Sequence, residues 1–172
     1  MIKELMSKIR DVPNFPKPGI IFKDITPLLK DVRAFQTVID VLAKRYADKS
    51  IDLVLGIEAR GFIFAAALAY RLDAGFVPVR KKGKLPYTTD SAEYALEYGT
   101  DRVEMHTDAL FPNARVLVVD DLIATGGTAK ATCELIERQK GTVVECAFVI
   151  ELKFLNGRDT LKGREVFSLI QY

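Results

Sequence analysis

The chain has 172 residues, enough for one core of ordinary size and too few for two independent domains of typical size. Apolar residues make up 49% and charged residues 28%, a globular composition that excludes a largely disordered or collagen-like chain. Lys and Arg number 25 against 23 Asp and Glu, so the net charge of +2 offers no bulk electrostatic argument for a nucleic-acid or membrane partner, and any anion site has to be local.

Residues 2–9 read as a short amphipathic helix. With Lys3, Glu4, Lys8 and Arg10 this start does not resemble a secretory signal, and the chain is expected to be cytoplasmic. Pro13, Pro16 and Pro18 then forbid helix, and the proline-rich stretch is expected to form a small hood or lid within residues 1–30 instead of a central strand. From Asp31, a candidate N-cap, the apolar positions Phe35, Val38, Ile39, Leu42 and Tyr46 recur at helical spacing. Residues 51–56 predict a strand, 62–72 an Ala-rich buried helix, and 76–79 a strand carrying Pro78. The apolar run at 62–70 is about half of the roughly 20 residues needed to span a membrane.

Residues 80–89 are basic and polar, with Gly83 and Pro86, and predict a long mobile loop of functional character. Order is expected to resume near Tyr94. Residues 103–106 alternate as a strand, and 115–119 form a β-branched run ending in two aspartates, as a buried parallel strand does. Residues 128–138 predict a helix that Gly141 caps, and 143–150 another strand. Cys133 and Cys146 match neither a disulfide framework nor a zinc site and are read as buried thiols. His106 stands apart from every motif and is read as structural; with no Ser or Cys elbow the parts of a hydrolase triad are missing. Alternating strands and helices predict a single α/β domain spanning 1–172, with an open, mostly parallel twisted sheet flanked by helices and its ligands at the strand carboxyl ends.

The chemistry concentrates in Val116-Leu117-Val118-Val119-Asp120-Asp121-Leu122-Ile123-Ala124-Thr125-Gly126-Gly127-Thr128. An apolar strand ends in an acidic pair and then in small and hydroxyl residues that open a helix. Backbone N–H groups of Ala124 to Thr128 supply unpaired donors at the positive end of a helix dipole, and Gly126 and Gly127 let the backbone approach an anion. Thr125 and Thr128 add hydroxyls. The pattern points to a phosphorylated sugar, with Asp120 and Asp121 on its ribose hydroxyls or on a magnesium ion that the substrate brings. No G-x-x-x-x-G-K-[ST] and no G-x-G-x-x-G occurs, so nucleoside triphosphate hydrolysis and hydride transfer lose their main support.

This segment resembles the 5-phosphoribosyl 1-diphosphate motif of the type I phosphoribosyltransferases. Four further strings narrow the resemblance to the adenine-specific family: Pro16-Lys17-Pro18-Gly19-Ile20-Ile21-Phe22-Lys23-Asp24-Ile25-Thr26-Pro27, Gly56-Ile57-Glu58-Ala59-Arg60-Gly61-Phe62, Arg80-Lys81-Lys82-Gly83-Lys84-Leu85-Pro86 and Leu96-Glu97-Tyr98-Gly99. The match runs from Ile9 to Tyr172, and its strength lies in five strings standing in the right order.

The resemblance implies the type I phosphoribosyltransferase fold and a purine-salvage glycosyltransferase that moves phosphoribosyl from 5-phosphoribosyl 1-diphosphate to adenine, releasing AMP and diphosphate. It implies Mg²⁺ held mainly through the substrate, a homodimer, and no nucleic-acid or membrane partner. The phosphoribosyl group falls to Asp120, Asp121, Ala124, Thr125, Gly126, Gly127 and Thr128. The diphosphate falls to Glu58, Ala59, Arg60, Lys81 and Lys84, where the family's turn at Glu58-Ala59 can be a non-proline cis peptide. Lys81 and Lys84 are expected to close over the diphosphate and shield the reaction from water. Glu97, Arg60 and Lys84 are the implied catalytic residues, with Glu97 managing the purine proton. Phe22, Lys23, Asp24, Ile123 and Ala124 are implied to hold the base, the extended backbone around residues 21–23 reading its edge. One departure is Asp90, where the family commonly has an apolar residue. Two other readings share these features: a sensor of the same donor that performs no chemistry, for which DNA-binding helices are missing, and an enzyme using hypoxanthine, guanine or xanthine, against which only the hood residues argue.

Overall fold

The computed structural model describes residues 1–96 and 99–172. They divide into two compact units, Met1–Leu42 and Ala43–Tyr172.

The first unit begins with helix α1 (Ile2–Ser7) and a two-stranded antiparallel ribbon of β1 (Arg10–Pro13) and β2 (Ile21–Asp24), paired from Arg10↔Asp24 to Pro13↔Ile21. Pro13 ends β1, and Pro16 and Pro18 occupy the turn that joins the strands, where Phe15-Pro16 is cis and Asn14 and Gly19 take positive φ. The hood expectation thus becomes a hairpin, closed by the edge-to-face rings of Phe15 and Phe22 with centroids 5.1 Å apart. Asp24 then starts α2 (Thr26–Lys30), a helix the sequence pattern did not reveal, by accepting from the Thr26 amide at 2.9 Å and the Thr26 hydroxyl at 3.0 Å. Asp31 caps α3 (Val32–Tyr46) as expected: its Oδ1 accepts from the amides of Arg33 and Ala34 at 3.1 and 3.0 Å.

The second unit is built on a seven-stranded sheet in the order β5-β6-β4-β3-β7-β8-β9. β3 (Leu53–Ile57), β4 (Gly75–Lys81), β7 (Arg115–Ile123), β8 (Thr142–Glu151) and β9 (Val166–Gln171) run parallel, and β5 (Thr89–Ala95) and β6 (Thr100–His106) form an antiparallel extension. Pro78 pairs with Gly56 of β3 on one side and is tolerated because β6 pairs with β4 only at Arg80 and Lys81, leaving the other edge of the first part of β4 unpaired. Leu55, Ile57, Val116 and Val118 form a core with Ala131, Leu135 and Ile136 of α5 (Gly127–Arg138), while α4 (Gly61–Arg71) packs against β3 and β7 through other residues, Ala65 and Phe62 lying against the position that a Cβ of Gly56 would take. No helix among the described residues is long and apolar enough to cross a membrane.

Two expectations change. The polar stretch of residues 80–89 is not one long loop: β4 runs through Lys81 and β5 starts at Thr89, so the connection is confined to 82–88. Its charged flanks mask a hairpin whose outward side chains are polar, and Asp90 is held there by the Gln139 amide at 2.7 Å. The helix stop is shared by two residues. Lys140 takes the left-handed φ of 63°, and Gly141 donates to the Ile136 carbonyl at 2.9 Å where a Cβ would lie 2.8 Å from the Ile136 side chain. Cys133 and Cys146 are buried and free as expected, and they place their sulfurs 3.5 Å apart. Their contact and their burial push the Cys146 thiol up, which keeps it protonated.

Candidate functional site

The site grows from the carboxyl end of β7. Asp120 is half-buried and Asp121 buried, the strand continues to Ile123, and Gly126 adopts φ +82° as the residue before α5. A side chain at Gly126 is doubly excluded, by that φ and by the Gly157 carbonyl oxygen 2.4 Å from where its Cβ would be. The first amides of α5 have no partner within the helix and mark an anion position. A cavity of about 100 Å³ lies there, lined by Asp120, Ala124, Thr125, Gly126, Gly127 and Thr128 among others.

The two acids are not equivalent. Asp120 Oδ1 accepts the Asp121 amide at 2.8 Å, whereas Asp121 Oδ2 lies 2.7 Å from Arg60 Nη2. Burial and the neighbouring Asp121 charge push the Asp120 carboxyl well above the usual carboxylate range. Burial also raises Asp121, and the Arg60 guanidinium opposes that rise.

Arg60 arrives from the turn between β3 and α4, where the Glu58-Ala59 peptide is cis. The turn sits close to β7 because Gly61 has no side chain: a Cβ there would lie 2.6 Å from Asp120 Oδ1 and 3.1 Å from the Val119 carbonyl oxygen. Glu58 points to β4, accepting from Arg80 Nε and Nη2 at 3.2 and 3.1 Å and from the Lys81 amide at 2.9 Å. Burial alone would raise the Glu58 carboxyl, but these donors outweigh it and hold the group below its ordinary range. Arg80 also donates to the Lys84 carbonyl at 3.1 Å, so one guanidinium ties the turn to the lysine loop.

A second cavity of about 220 Å³ is lined by Glu58, Arg80, Lys81, Tyr94, Asp120 and Thr128 among others. It shares Asp120 and Thr128 with the first, so the two adjoin at these residues. Lys81 lines it while its ammonium rests 3.3 Å from Asp101, which also accepts from the Tyr94 hydroxyl at 3.1 Å. The contact with Asp101 raises the Lys81 pKa and keeps it cationic. The Lys84 side chain is exposed on the connection.

The structure thus brings together Glu58, Ala59, Arg60, Lys81, Asp120, Asp121 and the loop from Ala124 to Thr128. Phe22, Lys23 and Asp24 stand on β2 of the first unit, with the Lys23 ammonium 2.7 Å from Asp11; in the second, Ile123 ends β7 and Ala124 follows it. Glu97 and Tyr98 lie outside the described residues. His106 is on β6, its Nε2 buried and its ring 6.0 Å from that of Tyr87, away from both cavities. Sequence reading assigned no site role to Arg80, Asp101, Gly157 or Thr160. Only the turn-prone pair Asn156-Gly157 carried a local signal, because the other contacts depend on long-range pairing.

No group of three or more His, Cys, Asp or Glu side chains that could hold a metal gathers among the described residues. With Asp121 facing Arg60 and Asp120 accepting a backbone amide, the donor set fits a cation carried on ligand oxygens better than a protein-built cage.

The family described as phosphoribosyl transferase domain matches residues 26–167. An adenine phosphoribosyltransferase of Chloroflexus aurantiacus is 61% identical over 99% of this chain and 98% of its own. The crystal structure of adenine phosphoribosyltransferase from Thermoanaerobacter pseudethanolicus superposes with a TM-score of 0.97 at 53% identity, covering 100% of both chains. That of Saccharomyces cerevisiae, complexed with an imino-altritol bisphosphate and adenine, does so with 0.93 at 42% identity over 98% of each. The chain belongs to the phosphoribosyltransferases, in the adenine phosphoribosyltransferase family.

Proposed function

We propose that the protein transfers the 5-phosphoribosyl group of 5-phosphoribosyl 1-diphosphate to adenine, producing AMP and diphosphate in purine salvage. One observation carries this reading: two adjoining cavities share Asp120 and Thr128, one of them at the amide-rich start of α5 and the other beside Glu58, Arg80 and Lys81. A 5′-phosphate, a ribose and a 1-diphosphate need that sequence of environments along one molecule. The adenine complex of the Saccharomyces cerevisiae relative supports the choice of base.

In this reading the amides following Ala124, with the hydroxyls of Thr125 and Thr128, bind the 5′-phosphate, and Asp120 and Asp121 meet the ribose hydroxyls. The turn at Ala59, with Arg60, Lys81 and Lys84, holds the diphosphate, and Glu58 fixes Arg80 behind it. Adenine N9 forms the new bond to the anomeric carbon as the bond to the diphosphate oxygen breaks, that oxygen keeping the electron pair. The nearby carboxylates favour the positive charge that develops on the sugar. Glu97, as carboxylate, accepts the imidazole-ring proton that adenine loses near N7 as N9 bonds to the sugar, a contribution of about 10²- to 10⁴-fold for a positioned carboxyl. Holding two reactants in line is worth effective molarities of about 10⁵–10⁸ M, so positioning matters at least as much. Mg²⁺ on the donor's oxygens supplies charge neutralisation of the leaving diphosphate.

Ile123 and Ala124 offer the base apolar surface, and the preference for a 6-aminopurine rests on the family resemblance of the string from Pro16 to Pro27. A site that hydrogen-bonds a 6-amino group rejects a 6-oxo purine, whose donors and acceptors are reversed at that edge. A cytoplasmic homodimer completes the proposal. The decisive experiment is diphosphate release with Mg²⁺, the phosphoribosyl donor and each nucleobase in turn. Release with adenine alone is expected; preference for hypoxanthine or guanine overturns the base assignment, and no release with any base overturns the activity.

A further inference from the structure

No motif marks the chain after β8, yet this stretch meets the loop between β7 and α5 at three points. The Leu152 amide donates to the Ile123 carbonyl at 3.0 Å, and Thr160 Oγ1 donates to the Thr125 carbonyl at 2.7 Å. Between them, Gly157 and Gly126 touch backbone to backbone. A Cβ on Gly157 would lie 2.4 Å from the Ala124 carbonyl oxygen, and one on Gly126 2.4 Å from the Gly157 oxygen. Gly157 and Thr160 are the first and last residues of the short helix α6 (Gly157–Thr160).

The segment is itself braced. Arg158 donates to both Glu151 carboxylate oxygens at 2.8 Å and to the Val166 carbonyl at 2.7 Å. Glu151, only 4% exposed, also accepts from the Ser168 hydroxyl. Such a bidentate, half-enclosed pair is geometrically stiff.

In a trans peptide the carbonyl and the following N–H point in opposite directions. A donor that holds the Thr125 carbonyl on the α6 side therefore directs the Gly126 amide to the opposite side. We propose that Thr160 is a positioning residue for the 5′-phosphate site, its hydroxyl fixing the Thr125–Gly126 peptide so that the Gly126 amide faces the anion. α6 is the strut and the Glu151–Arg158 pair its anchor. This inference rests on the assignment of residues 124–128 to the phosphate given above. Without the hydroxyl the Thr125 carbonyl loses its partner and the amide its fixed direction, while the side chains that meet diphosphate and base are untouched.

The test compares Thr160→Val, which replaces the hydroxyl with a methyl group, with Thr160→Ser, which keeps it. AMP affinity by calorimetry is expected to fall about fivefold in the valine variant and to return to within about twofold of wild type in the serine variant, the size of one lost hydrogen bond. The KM for the phosphoribosyl donor rises in parallel and that for adenine does not. Unchanged AMP affinity in the valine variant overturns the role of Thr160 while leaving the phosphate assignment standing. Equal weakening in both variants also overturns it, since packing and not the hydroxyl then matters. Failure of the wild type to bind AMP overturns the phosphate assignment and the inference with it. If the valine variant does not melt cooperatively, Thr160→Ala against Thr160→Ser makes the same comparison.

Discussion

The Arg60 guanidinium lies 2.7 Å from the buried carboxylate of Asp121, linking the turn after β3 to the end of β7. Arg60 therefore offsets the charge of Asp121 and carries positive charge at the proposed diphosphate site. Arg60→Ala leaves that carboxylate without its cation. Breaking a fully buried pair costs roughly 3–5 kcal/mol, and the partial exposure of Arg60 reduces this to about 1–2 kcal/mol. Urea unfolding is expected to show that loss, and kinetics a larger rise in KM for the phosphoribosyl donor than for adenine. Arg60→Lys restores the charge but not the planar fork, and recovers stability more fully than donor binding.

Gly61 sets the spacing between the same two elements. A Cβ there would lie 2.6 Å from Asp120 Oδ1 and 3.1 Å from the Asp120 Cα, so Gly61→Ala must push α4 and its preceding turn away from β7. A shift of about 1 Å in a positioning group can cost on the order of 10²-fold in rate. The alanine variant is expected to fold, to melt lower, and to lose at least tenfold in kcat/KM measured with saturating adenine and varied donor.

In the proposed ribose role, Asp120 is expected to trade stability for function. Its carboxyl is held well above the ordinary range by burial and by Asp121, so the unfolded chain gives up this proton more readily than the folded one. The folded state is penalised as pH rises above the unfolded value, the penalty growing until the folded pKa is passed, and the penalty vanishes in acid. Asp120→Asn removes the charge and keeps an oxygen for the Asp121 amide. It is expected to raise stability at pH 7 by on the order of 1 kcal/mol, or about 2–4 °C in melting temperature, with the gain disappearing towards pH 4. Turnover falls sharply in the same variant, and further when Asp121→Asn is added. Scanning calorimetry at the two pH values, with diphosphate release, checks both halves; an unchanged turnover removes the ribose role.

Local signals made much of this legible before any coordinates. Asp31 reads as a cap because one side-chain oxygen suffices for two amides, and the string from Val116 to Thr128 reads as strand, acids and helix start because all its parts are contiguous. The pairing of β5 with β6 is hidden in the sequence because Glu93, Asp101 and Arg102 are polar and the buried residues Ala92, Val103, Glu104 and Met105 include a carboxylate and do not alternate cleanly. Thr160 was illegible for a different reason. Its partner, the Thr125 carbonyl, is 35 residues away, and a hydroxyl in a short polar segment carries no mark of what it will meet after folding. The contact between Cys133 and Cys146 is of the same kind, made by the packing of α5 on β8 and by nothing in the spacing.

The placement of the acids also predicts how magnesium acts. An ion resident on the free protein stabilises the folded state in proportion to RT ln(1 + [L]/Kd), so its removal lowers the melting temperature. Here Asp121 faces Arg60, Asp120 accepts a backbone amide, and no third ligating side chain joins them among the described residues. Millimolar Mg²⁺ alone is therefore expected to leave the melting temperature of the free protein unchanged within about 1 °C, and to raise it clearly only together with the phosphoribosyl donor. Chelation abolishes diphosphate release without unfolding the chain. A melting temperature that climbs with Mg²⁺ in the absence of donor would place the ion on the protein, and Asp120→Asn would then be the variant that erases the climb.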